Sequence, residues 1–309
     1  MADDYHIPVM LDETVGGLRV KKDGLYFDGT LGGGGHSGAV LAAGGRLIAT
    51  DKDIEAIAYA DKLLSKDFSG RYTLCHRDFQ EAGELLAELK VESLDGAILD
   101  LGISSHQIDE AERGFSYMKD GALDMRMDAS AGVSAADIVN TYEEEALSGI
   151  LFSYGEERFS KRIARAIVEY RAQKPIERTG ELADIVRRSV PYTPHGGHPA
   201  KRAFQALRIE TNRELTGLRH TLETLSDKLC AGGRLCVITF HSLEDRIVKH
   251  TLKELATGCI CDKSLPKCVC GHEQTLKLIG KIKPSDEEVE KNPRSASATL
   301  RIVEKLSTI

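Results

Sequence analysis

Asp28-Gly29-Thr30-Leu31-Gly32-Gly33-Gly34-Gly35-His36 is the stretch that decides the fold. It follows the short apolar run Leu25–Asp28 and leads into a helical pattern at 37–43. Glycines carry no Cβ, so such a turn permits positive φ and close approach of a ligand to the backbone. Strand, glycine turn and helix therefore open an α/β unit, and the pattern repeats outward. Arg46–Asp51 reads as a second strand followed by a helix at 53–65. Segments 72–75 and 96–100 supply two more strands, separated by the amphipathic stretch 80–89. Four such units predict a parallel, Rossmann-like α/β sheet with crossover helices. After Gly102 the pattern turns polar and helical, with helices expected at 135–151, 156–171 and 180–188. A helix at 211–230 and a turn at Ala231-Gly232-Gly233 then precede a strong strand at 234–240. The economical reading is an inserted helical domain at 106–207 within a sheet domain made of 1–105 and 208–309. Leu276–Ile282 and 299–304, joined by the polar stretch 283–297, suit an antiparallel pair closing the sheet edge.

Literally, Gly33-x-Gly35-x-x-Gly38 also fits the dinucleotide pattern, with Asp51 placed to hold ribose hydroxyls. Two features favour S-adenosylmethionine. Asp28 ends the first strand, where a carboxylate compensates a methionine ammonium but sits badly beside a pyrophosphate. Arg77-Asp78-Phe79 follows the third strand, suited to flanking an adenine, and Asp100 ends the fourth beside the expected methyl donor. Ligands of open α/β sheets bind at these carboxyl ends. The plainer alternatives are turn formation or helix capping by Asp28, packing of His36 against the loop, and a core role for Phe79.

The chain has 309 residues and a formal net charge of −7, which taken alone argues against a nucleic-acid partner. Its distribution reverses that argument. Residues 156–219 hold fourteen Lys and Arg against eight Asp and Glu, a local +6 that leaves −13 elsewhere. Such a segment can present a phosphate-binding face; interleaved Arg and Glu also allow a salt-bridged helical face. No run approaches the ~20 apolar residues of a membrane span, and the first seventeen residues carry four acids rather than a basic leader pattern. A soluble cytoplasmic protein without membrane partners is expected. Cys75, Cys230 and Cys236 lie in or beside apolar runs and read as core. Cys259, Cys261, Cys268 and Cys270 form C-x-C-x6-C-x-C, which suits a structural zinc ion, with plain thiols or redox-labile pairs as the alternative.

These residues resemble a known family along essentially the whole chain: the bacterial 16S ribosomal RNA cytosine-N4 methyltransferases of the MraW type. The resemblance rests on HIPVMLDE at 6–13, DGTLGGGGHSG at 28–38, DLGISS at 100–105, ERGFSYM at 112–118 and LDMRMD at 123–128. It continues through YGEERF at 154–159, HPA at 198–200, FQALRIE at 204–210 and FHSLEDR at 240–246. It implies a Rossmann-like methyltransferase sheet with an inserted substrate-recognition domain. The activity implied is S-adenosylmethionine-dependent methylation of a cytosine N4 in the decoding centre. The partner implied is 16S rRNA within the small ribosomal subunit; the sequence also allows a homodimer. By the same resemblance, cofactor contacts fall on Gly34, Gly35, His36, Asp51, Phe79, Asp100 and Gln107; Asp28 joins them from its place at the end of the first strand.

The exocyclic amine of cytosine is a poor nucleophile because its lone pair is delocalised into the ring. Orientation and a proton acceptor are therefore the main requirements, and Asp100 is the candidate catalytic group. The Asp/Asn-Pro-Pro-aromatic tetrapeptide of many amino-group methyltransferases is absent from this sequence. Methylation at C5 requires a cysteine nucleophile, and none stands in a suitable loop. Phe115, Tyr117 and Phe240 are candidates to stack an extruded base. Phe240, His241, Ser242, Asp124 and Arg126 are candidates for the cytosine edge or a neighbouring phosphate. The competing classes are a nicotinamide-dependent oxidoreductase and a noncatalytic ribosome-assembly factor.

Overall fold

The computed structural model describes residues 8–191, 197–259, 261, 262, 265, 267 and 269–307. Contacts divide the chain into two compact units, 1–102 with 216–309, and 103–215. In chain order the first unit opens with α1 (Leu11–Leu18), β1 (Leu25–Asp28), α2 (Gly35–Ala42), β2 (Arg46–Asp51), α3 (Ile54–Phe68), β3 (Tyr72–His76), α4 (Ala82–Glu88) and β4 (Leu94–Asp100). The second unit holds α5 (Ser105–Asp109), α6 (Ala135–Thr141), α7 (Glu144–Gly155), α8 (Ser160–Arg171), α9 (Thr179–Ser189) and α10 (Lys201–Asn212). The first resumes with α11 (Leu218–Lys228), β5 (Leu229–Thr239), α12 (Ser242–Leu255), β6 (Leu276–Ile282), α13 (Asp286–Lys291) and β7 (Thr299–Lys305).

The sheet runs β3-β2-β1-β4-β5-β7-β6. Strands β1 to β5 are parallel, and β7 is antiparallel to both β5 and β6. Side chains alternate across the two faces, as pleating requires. Tyr26, Ile98, Cys236 and Ile238 join one core, which also takes Leu18 of α1, Val40 of α2 and Leu64 of α3. Phe27, Ala97, Leu99, Leu235 and Val237 join the other, with Leu86 of α4, Leu222 of α11 and Leu252 of α12. Both faces are covered by helices, so the inner strands read as unbroken apolar runs rather than alternating ones.

The second unit has its own core. Ile138, Leu147, Leu151, Ile163, Ile167, Leu182, Val186, Phe204 and Leu207 project from α6 to α10 onto Leu123 and Met125. Helices α8 and α9 are amphipathic, burying Ile163, Ile167, Leu182 and Val186 while Lys161, Arg162, Arg165, Arg187 and Arg188 stay exposed. Among the described residues no helix is long and apolar enough to cross a membrane.

The structure corrects four element readings, one being the helix expected at 156–171, which begins only at Ser160 because Glu156 takes a positive φ of 50° as the cap of α7. The helix expected at 135–151 is two helices, because Tyr142 and Glu143 are extended between α6 and α7. The helix expected at 211–230 begins only at Leu218, since Arg213 and Gly217 take positive φ of 51° and 77°; α10 before it had no counterpart in that reading. Ala231-Gly232-Gly233 lies inside β5, where the register against β4 shifts between Leu94 and Gly96. Of the three cysteines read as core, Cys236 is buried, whereas Cys75 and Cys230 are half-buried.

Candidate active site

The strand order reverses between β1 and β4, and crevices at such a switch point are where open α/β sheets take their ligands. Asp28 ends β1, Asp51 ends β2 and Asp100 ends β4, so three neighbouring strands each finish on a carboxylate. The glycine turn lies above them. Gly34 takes φ 79° and caps α2, which begins at Gly35. A Cβ on Gly29 would stand 2.5 Å from Leu99 Cδ2 and 2.9 Å from Phe79 Cβ. That close approach excludes every side chain and brings Phe79, which opens a short 3-10 turn after β3, against the loop.

The loop is tied to the strand ends by hydrogen bonds. Asp28, 1% exposed, accepts from Thr30 N at 3.0 Å and from Ser37 Oγ at 2.7 Å. Burial raises its pKa, and the three bonds from Thr30 and Ser37 oppose that rise. Thr30 Oγ1 in turn accepts from Asp100 N at 2.6 Å, so one threonine bridges the ends of β1 and β4. Asp51 accepts from Gly32 N at 2.8 Å and from Asp53 N at 2.9 Å. Its pKa is pushed up to about 6 by burial, against those two backbone N–H bonds.

Asp100 is the most perturbed acid. Burial, then the negative charges of Asp28 and Glu244, hold its pKa well above the usual carboxylate range. Its Oδ1 is buried and has no hydrogen-bond partner among the described residues. Its Oδ2 lies 3.7 Å from His36 Nδ1. His36 is buried, and desolvation lowers its pKa to about 4, so the ring is neutral near pH 7. Its Nε2 lies 3.0 Å from the Val9 carbonyl. A carbonyl only accepts, so the proton sits on Nε2 and Nδ1 presents a lone pair toward Asp100.

Phe240 follows β5. Gly102 has φ 115°, and a Cβ there would meet the Phe240 ring at 3.2 Å, so this glycine lets the ring settle two residues beyond Asp100. His241 caps α12: its Nδ1 accepts from Glu244 N at 3.4 Å, and Glu244 Oε2 accepts from Phe240 N at 3.0 Å. His241 Nε2 stands 3.0 Å from Glu244 Oε1 but is too poorly aligned for a hydrogen bond. Ser242 is the first residue of that helix.

The remaining candidates belong to the second unit. Gln107 is 5% exposed and shares a capping box with Ser104 at the start of α5. Asp124 grips Arg126 bidentately at 2.9 and 2.7 Å, fixing the guanidinium plane. Phe115 is buried in the helical core, which removes it as a stacking face. Tyr117 stacks on His198 with ring centroids 4.7 Å apart. Of the clustered cysteines, Cys259, Cys261 and Cys270 come together, with sulfurs within 4.8 Å of one another; Cys268 lies outside the described residues. Thr30 and Ser37 were not among the residues singled out in the sequence. Their signal is the D-x-T turn and a hydroxyl in the first turn of the following helix.

The buried, unpartnered Asp100 oxygen and a glycine turn that side chains would block both fit a small polar, cationic ligand at the switch point. A parallel sheet with an antiparallel last strand, that turn and three strand-end acids define the chain as a Rossmann-like, S-adenosylmethionine-dependent methyltransferase. The model of the MraW methylase family matches residues 3–306, and the chain belongs to that family. It is 52% identical over 307 residues to the ribosomal RNA small subunit methyltransferase H of Clostridium botulinum (strain Kyoto / Type A2), covering 97% of this chain and 99% of the relative. To the protein of the same name from Geobacter sp. (strain M21) it is 51% identical over 313 residues, covering 99% and 100%. An rRNA methylase structure from Streptococcus thermophilus aligns over 96% of this chain and 92% of its own, at 13% identity and a TM-score of 0.41. A score that low carries no weight, and the fold rests on the strand order.

Proposed function

We propose that this chain methylates the exocyclic N4 of a cytosine in the decoding centre of 16S rRNA, acting in the cytoplasm on the small ribosomal subunit. The names of the relatives support small-subunit rRNA as the substrate class. The observation that carries the amine chemistry is the Asp100 carboxyl, buried, raised in pKa and holding one unpartnered oxygen at the end of β4. S-adenosylmethionine supplies an electrophilic sulfonium methyl group. Gly34, Gly35 and His36 line its methionine side, Asp51 accepts from the ribose hydroxyls and Phe79 flanks the adenine. Asp28 fixes the loop and adds negative charge near the methionine ammonium. Gln107 is assigned on the family resemblance alone.

As N4 acquires a methyl group it must shed a proton. A carboxylate short of hydrogen-bond donors is a stronger base than a solvated one, so ionised Asp100 is suited to accept that proton. His36 stays neutral; its Nδ1 lone pair faces Asp100 Oδ2 and is placed to accept from that oxygen once the carboxyl has taken the proton. The Phe240 ring stacks the base, with His241 and Ser242 as candidates for its edge; on the helical unit Arg126, oriented by Asp124, is a candidate for an rRNA phosphate. Cysteine chemistry at C5 finds no support: Cys236 is fully buried with its thiol pushed up to about 12, and burial raises Cys75 as well. The test is transfer of a labelled methyl group to small subunits that lack the modification, followed by nucleoside analysis. N4-methylcytidine is expected, and Asp100→Asn should slow the reaction by roughly 10²–10⁴-fold. Label on another atom, or an undiminished Asp100→Asn rate, would refute the assignment.

A further inference from the structure

Between α12 and β6 the chain runs from 256 to 275 with no helix or strand among the described residues. Connections beyond ~12–15 residues are uncommon in compact domains and are usually functional where they occur. Among the described residues of this stretch the large apolar side chains Val269 and Leu265 are 78% and 46% exposed, so neither anchors it in a core. Sulfur converges instead. The Sγ atoms of Cys259, Cys261 and Cys270 all lie within 4.8 Å of one another, and those of Cys259 and Cys270 are 3.9 Å apart. Zinc–thiolate bonds of about 2.3 Å in a tetrahedron place neighbouring sulfurs about 3.8 Å apart. A disulfide would need about 2.0 Å.

The backbone is also arranged around these sulfurs. Val269 N donates to Cys261 Sγ and His272 N donates to Cys270 Sγ, both at 3.4 Å. Backbone N–H groups aimed at sulfur are the outer-shell partners that orient metal-binding cysteines. Gly271 takes φ 60°, the left-handed turn that brings the His272 N–H back onto Cys270. The loop is pinned at its base: His272 Nε2 lies 3.0 Å from the Glu254 carbonyl, and Thr275 N donates to the Leu255 carbonyl at 3.0 Å.

We propose that Cys259, Cys261 and Cys270 bind one zinc ion that orders the loop between α12 and β6. Three converging thiols form a soft ligand set that favours zinc among divalent cations, with the fourth tetrahedral position left to a further ligand. The site is structural and lies apart in sequence from the strand-end acids, so it is separable from methyl transfer.

Full-length protein purified without chelator or affinity nickel should contain about one zinc per chain by elemental mass spectrometry. Cys259→Ser, Cys261→Ser and Cys270→Ser should each lower that content to roughly a tenth or less, while Cys230→Ser, outside the cluster, leaves it unchanged. Where a serine variant fails to fold, the wild-type chain still decides. An organomercurial titrated into it should release zinc in step with thiol modification, and cobalt exchange should give a tetrahedral thiolate spectrum. Metal-free wild-type protein, zinc retained in all three serine variants, or an intact mass two hydrogens light from a disulfide would overturn the proposal.

Discussion

Asp51 shows how one side chain serves both the loop and the proposed ligand. Each of its oxygens already accepts a backbone N–H, from Gly32 or Asp53, and each keeps a second lone pair for a ribose hydroxyl. Asp51→Ala is expected to weaken S-adenosylmethionine binding by about 1–3 kcal/mol in calorimetry, the loss of charge-assisted hydrogen bonds. The pH dependence has a definite sign. Burial lifts the carboxyl to about 6, so the ionised acceptor is lost as pH falls through that value. Affinity should therefore drop below about pH 6, and Asp51→Ala should flatten the profile; a wild-type affinity unchanged through that range would remove the ribose assignment. The place of Asp51 was legible in the sequence, because the apolar run of the second strand stops at that acid. The local work of Asp28 was less so. Its partners are Thr30, two residues on, and Ser37, which comes into reach only because α2 starts at Gly35.

Among elements, the strands were read most faithfully. β1 and β2 match residue for residue because helices cover both faces of the sheet and leave continuous apolar runs. Helix boundaries failed where a tertiary contact outweighed local propensity. Asn140, near the end of α6, donates to the Ile176 carbonyl and accepts from Ile176 N, fixing that helix end against a distant segment. Asn212 does the same at the end of α10, accepting from Met127 N at 2.7 Å and donating to the carbonyls of Met125 and Arg208 at 2.7 and 2.9 Å. No sequence period reports bonds spanning 85 or 87 residues. Asn212→Ala should strip partners from buried backbone groups and destabilise the helical unit by about 2–4 kcal/mol. Hydrogen exchange at the Met127 amide is the readout; protection equal to wild type would show that the asparagine is dispensable.

For the whole molecule, the charge asymmetry acquires a location. Lys161, Arg162, Arg165, Arg187 and Arg188 all stand exposed on α8 and α9. Arg165 lies 3.6 Å from Glu144 and Arg187 2.7 Å from Asp184, whereas Lys161, Arg162 and Arg188 have no acid within 4.0 Å among the described residues. If this face grips rRNA phosphates, replacing all five by Gln should weaken RNA binding and flatten its salt dependence, leaving cofactor affinity unchanged. A slope equal to wild type would identify the charges as solvated surface only. The division of the chain also governs how the molecule comes into being. β4 and β5 are hydrogen-bonded neighbours, yet Leu94 pairs with Leu229, across the entire helical unit. Closing a loop that long costs about 2 kcal/mol more chain entropy than closing one of ~20 residues, before any pairing repays it. Synthesis runs from the N-terminus, so β1 to β4 emerge with one flank of β4 bare, and the strand that covers it follows only after two-thirds of the chain. The side of Asp100 that faces Phe240 is thus built late, whereas the β1–β4 side is in place early.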